Sequence, residues 1–400
     1  MLPKKIKVAI RILVIIVLLF GFAIAGVIFG YNYVISQEER FDNLQSEIDS
    51  GDLVINDKTQ GAVALVVETG DDTSDIADKL YEQGLITNTF VFSLVSKVNG
   101  FDGAYSAGTH YLLQGLSYDE IMYFLTLEPA SVTVTIPEGS TYIELKQLLH
   151  DAGLSFDDAK FDECMNSPNL FVDYDFVSDI EMNDNRDYIL AGYLYPDTYT
   201  FDVNSSPEEI IRKFLNNMES KLYDEYYTRA EHLGMTMDQV ITMASIIQKE
   251  TGDVSDMMDI SAVFHNRLDS DDESMHYLSS SATINYLVER QGGEFSLMHT
   301  DAELNIDSPY NTYLNEGLPP GPICMPGQDA ISAALYPEPN CNYMYFCATG
   351  DGGTAFAVTL EEHEANVAQY SPNWGVGNDV TSETISDDDY AGDETVAAEG

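Results

Sequence analysis

One acidic side chain falls where a helix could turn it into a proton donor. Thr236 to Gly252 reads TMDQVITMASIIQKETG. At 100° per residue, Val240, Ile241, Met243, Ala244, Ile246 and Ile247 spread over one broad apolar arc. Glu250 falls inside that arc and Lys249 points away from it. A carboxyl so placed is partly desolvated and lies near the negative end of the helix dipole. Both effects raise its pKa, which is what a general acid needs near neutral pH. Gln248 shares the arc but carries no acidic proton. The competing reading of Glu250 is a simple surface contact at a helix end.

The helix has its own start and stop signals. Thr236 is the expected N-cap, Gln239 completes a capping box, and Gly252 is the expected C′ stop. Other chemistries lack their residues. Cys164, Cys324, Cys341 and Cys347 form no CxxC pair, so a zinc ribbon or thioredoxin motif is absent. Free thiols are expected, although a Cys341–Cys347 or Cys324–Cys341 bridge is open. The seven histidines make no HExxH or paired spacing that argues for a metal. No GxSxG, SxxK or histidine cluster supports a serine or metal hydrolase.

Four hundred residues imply two or three domains, and a net charge of −49 argues against nucleic acid or an anionic membrane surface as ligand. Residues 12–36 carry no charge and include ILVIIVLLFGFAIAGVIFG, long enough to cross a bilayer as a helix. Lys4, Lys5, Lys7 and Arg11 precede it. The positive-inside rule then puts residues 1–11 in the cytoplasm and the rest outside, as a single-pass cell-membrane protein. The run exceeds a usual signal-peptide core, so an uncleaved anchor is expected.

The chain reads as α+β. Residues 37–60 are a linker or an extension of the membrane helix. An internal repeat follows. Val63, Leu65, Val67, Gly70, Ile76, Leu80, Gly84 and Leu85 return 69 residues later as Val132, Val134, Ile136, Gly139, Leu145, Leu149, Gly153 and Leu154. Each copy predicts a strand, a glycine turn and an amphipathic helix. Residues 61–130 form a small module and 131–372 a larger domain. Residues 155–189 look irregular. LAGYLYPDTYTF, from Leu190 to Phe201, offers aromatics either for sugar stacking or for the core. Further helices are expected at Pro207 to Leu222, Tyr226 to Leu233, Ile260 to Leu268 and Leu360 to Tyr370, and a strand at Tyr343 to Ala348. SPYNTYLNEGLPPGPICMPG, Ser308 to Gly327, is too rich in proline and glycine for regular structure, and so long an ordered loop is usually functional. Residues 373–400 read as a disordered acidic tail.

In order and number, these stretches resemble the MltG (YceG-like) family of endolytic murein transglycosylases over roughly residues 60–372. LAGYLYPDTYTF is similar to the family's LEGYLFPDTY, MASIIQKETG to ASIVEKE, VFHNRL to VFxNRL, and LSSSATINY to LQSDPTVxY. The 308–327 loop is close to SPYNTY…GLPPGPIxxPG, and YMYFCATGDGGTAFAVTLEEHEANV follows the family's ending. Departures are Gln248, Ala191 and Ser281, where glutamate, glutamate and aspartate are frequent, and Thr354 near a frequent histidine.

The resemblance implies a LysM-like module at 61–130 and a catalytic domain at 131–372. It implies Glu250 as the catalytic residue, and Tyr310, Asn311, Tyr313, Asn266 and Arg267 as substrate-binding residues. For Arg267, pairing with a core acid is the rival reading. No metal or cofactor is implied. The implied reaction cuts the β-1,4 bond between N-acetylmuramic acid and N-acetylglucosamine in nascent glycan strands, leaving 1,6-anhydro ends. Peptidoglycan strands and penicillin-binding glycan synthases are the implied partners. A silent peptidoglycan-binding protein and a muramidase-type hydrolase are the alternatives.

Overall fold

The computed structural model describes residues 4–50 and 53–374. The chain divides into two compact units, residues 1–132 with 202–204, and residues 133–201 with 205–400.

The first unit opens with a long helix, α1 (Lys4–Asp49), followed by β1 (Ala62–Val67), α2 (Thr73–Glu82), α3 (Thr89–Asn99), β2 (Gly108–Leu113) and α4 (Tyr118–Thr126). The segment expected as a linker therefore begins as helix, since α1 runs on to Asp49. β1 and β2 pair antiparallel, Ala62 opposite Leu113 and Val67 opposite Gly108. Alternation puts Leu65, Val67 and Leu112 on the inner face, where they meet Ile76, Leu80, Phe92, Ile121 and Leu125 in one core. The expected span at residues 12–36 falls within α1. Its side chains are described only from 13 to 28, and many are exposed, Leu13 at 61% and Phe22 at 75%. Among the described residues no helix is long and apolar enough to cross a membrane. The side chains of the rest of that expected span, and the acidic tail from residue 375 on, lie outside what the structure describes.

The second unit contains β3 (Ser131–Thr135), α5 (Tyr142–Asp151), α6 (Asp158–Met165), α7 (Asp175–Ser178), β4 (Thr198–Asp202), α8 (Pro207–Lys221), α9 (Asp224–Leu233), α10 (Met237–Glu250), α11 (Val254–Leu268), α12 (Ser281–Arg290), α13 (Asp301–Leu304), α14 (Gln328–Leu335), β5 (Tyr345–Ala348), β6 (Thr354–Ala357) and α15 (Leu360–Tyr370). Hydroxyl pairs Thr133–Thr200 and Thr135–Thr198, at 3.0 and 2.8 Å, bridge β3 and β4. β5 and β6 form an antiparallel hairpin. The segment expected to be irregular, 155–189, holds α6 and α7, because Asp157 caps α6 and Phe161, Phe171 and Phe176 reach the core. α11 starts at Val254, six residues before its expected start, capped by Asp253.

The repeat appears in the backbone. Both helices carry capping boxes at the same offset, Asp72 with Asp75 and Thr141 with Glu144. The turn glycines Gly70 and Gly139 are both left-handed.

α10 is the centre of the second unit and packs against α14, α11 and α12. Val240, Ile241, Met243, Ala244, Ile246 and Ile247 are fully buried, each large side chain contributing roughly 1.5–3 kcal/mol. The Thr236–Gln239 capping box forms. The expected glycine stop does not. Thr251 ends the helix in extended conformation, Gly252 is not left-handed, and Asp253 N donates to Thr251 Oγ1 at 3.0 Å. The chain thus turns at once into the cap of α11.

The aromatics of LAGYLYPDTYTF face the core, with Tyr193, Tyr195 and Tyr199 all buried; the packing reading holds over sugar stacking. Gly192 among them has φ +88°, and a Cβ there would stand 2.5 Å from Pro322. Gly192→Ala is expected to cost roughly 2–4 kcal/mol from strain and overlap together. A lower denaturation midpoint with unchanged slope would register it; an unchanged midpoint would refute the close approach.

Candidate active site

Glu250 is the last residue of α10 and is half-buried. It keeps a face to solvent, yet burial raises its pKa above the usual glutamate value. Three opposing influences are weaker than burial. The Ser280 hydroxyl donates to Glu250 Oε1, the Ala282 backbone N–H also bonds the carboxyl, and the Arg267 charge acts through space. Ser280 is the N-cap residue of α12, but its side chain caps nothing there. Its hydroxyl is turned onto the acid instead. The first turn of α12 is thus aimed at Glu250, a favourable place for a carboxylate formed during reaction. The charge acting on Glu250 is Arg267 and not a second carboxylate.

The 308–327 loop sets this geometry. Thr312 is 1% exposed. Its Oγ1 accepts from Ser280 N at 3.0 Å and lies 2.9 Å from Thr283 Oγ1, while its carbonyl accepts from Ser279 N at 3.0 Å. Ser279 itself has φ +46°, uncommon for a non-glycine residue. Thr312 therefore fixes the approach to α12 and, through it, the Ser280 hydroxyl.

Farther along, the loop is stitched to α10. Ile323 N donates to Ser245 Oγ at 3.0 Å, and Gly327 N donates to Gln248 Oε1 at 2.9 Å. Met325 exchanges bonds of 2.8 and 3.0 Å with Gly139 and Ser140. Gln248, one of the departures from the family pattern, is a loop anchor.

The expected substrate-binding residues divide. Tyr310 and Asn311 are 2% and 0% exposed, so neither faces a groove. The Tyr310 hydroxyl accepts from Asp187 N at 3.1 Å. Asn311 Nδ2 donates to the carbonyls of Leu304 and Ile306 at 2.8 and 2.9 Å. Their polar atoms serve the loop. Asn266 likewise donates to the carbonyls of Cys341 and Tyr343, at 3.1 and 2.9 Å. Among the described residues Arg267 forms no ion pair with a core acid. It donates to the carbonyls of Met344 and Leu278, both at 2.7 Å, and its guanidinium lies 5.2 Å over the Tyr345 ring. Tyr345 stacks on His363 at 5.3 Å. Burial first, and Arg267 second, push His363 down to about 4, which keeps it neutral at pH 7. Tyr313 is half-buried, with its hydroxyl 3.4 Å from Ser281 Oγ. The Arg267 charge thus acts on Glu250, Tyr313 lies beside Ser281, the residue after Ser280, and the polar atoms of Tyr310, Asn311 and Asn266 are committed to backbone.

Sequence reasoning missed Ser280, Thr312, Tyr345 and His363. The first two lie inside LSSSATINY and SPYNTY, so the motifs were visible while the particular residues were not. Neither of the two most prominent cavities, about 550 and 460 Å³, has Glu250 in its lining. The site is therefore defined by the acid and its partners. Cys164, Cys324, Cys341 and Cys347 are free thiols.

A single acid with a raised pKa, held under a helix N-terminus in an α+β domain, is the arrangement that one-carboxyl acid–base chemistry requires. Comparison with known sequences gives the family. The YceG-like family profile matches residues 65–369, and the chain belongs to that family. An endolytic murein transglycosylase of Streptococcus pneumoniae is 29% identical over 364 residues, 86% of this chain and 62% of the relative. The chain thus spans less than two thirds of that relative's length. One from Bacillus subtilis is 30% identical over 315 residues, 77% of this chain and 84% of the relative. The crystal structure of a yceG-like protein from Listeria monocytogenes superposes with a TM-score of 0.51 at 31% identity, covering 77% of this chain and 99% of that one.

Proposed function

We propose that this protein is a membrane-anchored endolytic peptidoglycan lytic transglycosylase. It cuts the β-1,4 bond from N-acetylmuramic acid to N-acetylglucosamine in nascent strands and so ends glycan elongation. The observation that carries the reading is Glu250: half-buried, raised in pKa, held by Ser280 and Ala282, with no second carboxylate among the charges that act on it. A hydrolase of the two-carboxylate kind needs a partner acid at a defined distance. Relatives named endolytic murein transglycosylase support the substrate class.

In this mechanism Oε1 accepts from Ser280, so the acid proton resides on Oε2. Glu250 gives that proton to the glycosidic oxygen as the C1–O bond breaks. The oxocarbenium-like sugar is helped by its own N-acetyl group. The muramic C6 hydroxyl oxygen then bonds to C1, and its proton passes to the Glu250 carboxylate. The acid is restored, no water is consumed, and a 1,6-anhydro ring is left. Arg267 and the first turn of α12 stabilise the carboxylate between the two transfers. Tyr313, half-buried beside Ser281, is the remaining candidate for contact with sugar.

The exposed apolar side chains of α1 support anchoring, with residues 1–11 in the cytoplasm and the catalytic unit outside. The LysM-like reading of residues 61–130 is supported by the strand–helix–helix–strand order of β1, α2, α3 and β2, to which α4 is added. Penicillin-binding glycan synthases are the proposed neighbours.

Mass spectrometry of fragments from purified glycan strands tests the reading. Anhydromuramic ends are expected; reducing ends would convert it to a hydrolase, and intact strands to a binding protein. Ser280→Ala adds a pH test. The Ser280 bond lowers the Glu250 pKa, so its loss should raise that pKa further. The reaction needs the protonated acid, so the alkaline limb of the kcat/KM profile should move to higher pH. The maximum should fall roughly tenfold from lost positioning. A limb that stays put would remove Ser280 from the site.

A further inference from the structure

A prominent cavity lies within the second unit and is walled by elements that hold Glu250. Its volume is about 550 Å³, the size of a small-ligand site. One wall is Tyr286, Glu289 and Arg290 of α12, and another is Pro322 to Met325 of the stitched loop. Ala282, which bonds Glu250, precedes Tyr286 by four residues on the same helix. At 1.5 Å per residue that is about 6 Å of helix. A glycan cut at Glu250 would therefore pass near this cavity.

The lining is acidic and aromatic. Glu144, Glu289 and Glu294 contribute carboxylates; Tyr142, Tyr188, Tyr286 and Phe295 contribute rings. The cationic residue in the wall, Arg290, is neutralised by Asp187 at 2.8 Å. Tyr286 is tied to the same Asp187, at 2.6 Å. Glu289 differs from Glu144, whose carboxylate serves the Thr141 capping box. It is half-buried and, among the described residues, has no hydrogen bond or ion pair; Lys249 reaches it only through space. Burial raises its pKa; the Lys249 charge opposes that and the Glu144 charge adds to it. Apolar wall, rings and a carboxylate without a direct partner together suit an alkyl chain ending in a cation.

We propose that this cavity is a subsite for a primary alkylammonium group, the amine side chain of a peptide carried on the glycan, with Glu289 as the counter-ion. The aliphatic stem lies along the rings and Leu194, and the ammonium donates to Glu289. A bare strand brings no cation and leaves the carboxylate unpaired, so peptide-bearing strands are preferred over bare ones. This assignment rests on the peptidoglycan reading above.

Calorimetry on the full chain tests it, using Glu250→Gln so that ligands are not cut. The probes are glycan fragments bearing lysine-containing peptides, the same fragments with the side-chain amine acetylated, and fragments without peptide. The free amine should bind about tenfold tighter than the acetylated form, within the range of a charge-assisted hydrogen bond. Adding Glu289→Gln should erase that difference. Equal binding of the two peptides, or discrimination that survives Glu289→Gln, overturns the subsite. Cleavage is scored separately on unmodified protein. Anhydro ends without amine discrimination would end this proposal and leave the function standing. Discrimination without any cleavage would do the reverse.

Discussion

Glu250→Gln is expected to lower the release of anhydro-ended fragments by at least about 10³-fold, since in the proposed mechanism one group supplies both proton transfers, each worth roughly 10²–10⁴. The fold should be untouched. The acid is in fact a burden on stability at neutral pH. Its pKa in the folded chain is raised, so its contribution is fully present below the unfolded value and lost as pH rises through the folded one. Glutamine never ionises and keeps the neutral form at every pH. The variant should melt at or above the native temperature at pH 7, with no such advantage at pH 4. Normal cutting by this variant would move the chemistry to another residue. A marked drop in melting temperature would show that Glu250 is structural.

Asp238→Ala is expected to be the most damaging substitution away from the acid. Asp238 sits in the first turn of α10 and is 4% exposed. Both its oxygens accept from Arg186 Nη1, at 2.9 and 2.7 Å, and Oδ1 also accepts the Tyr193 hydroxyl at 2.8 Å. The Arg186 side chain is fully buried, and its Nε and Nη2 have no partner among the described residues. Removing Asp238 would strand a buried guanidinium, at a cost of roughly 3–5 kcal/mol. For a domain this size that is a fall in melting temperature of roughly 10 °C. Asp238→Asn should do less harm, because the amide oxygen can still accept from Tyr193. Thermal unfolding followed by circular dichroism decides; a loss under 2 °C would mean the pair is solvated or dispensable.

Local features were legible in the sequence because they are governed by local physics. The α10 arc, the Thr236 box and the repeated strand–turn–helix all depend on residues within a few positions of one another. The repeat's second capping box was there to be read too, as Asp72 and Thr141 at the common offset. The helix stop was misjudged because Gly252 is a good C′ residue, yet the next helix begins so soon that Thr251 must go straight to extended backbone. The site was only half legible. Glu250 could be picked out by type and phase. Its partner Ser280 lies 30 residues away and is one of three consecutive serines, which composition cannot tell apart. Tyr310, Asn311 and Asn266 were the reverse case. Their polarity fits sugar contact, but wherever they face backbone short of regular pairing, polar side chains are recruited to bond stray carbonyls and amides. Which of these tasks a given asparagine performs is a long-range question.

The stitching of the 308–327 loop to α10 makes activity conditional on completion. Its bonds to Ser245 and Gln248 close separations of 78 and 79 residues, and Thr312 reaches Ser280 across 32. Closures of that span carry a loop-closure entropy cost. A chain that has its helices but not these closures owns the acid without the grip on it, and the Ser280 hydroxyl is then free to wander. For an enzyme proposed to cut the wall around its own cell, this makes the grip on the acid depend on contacts between parts of the chain that lie far apart in sequence.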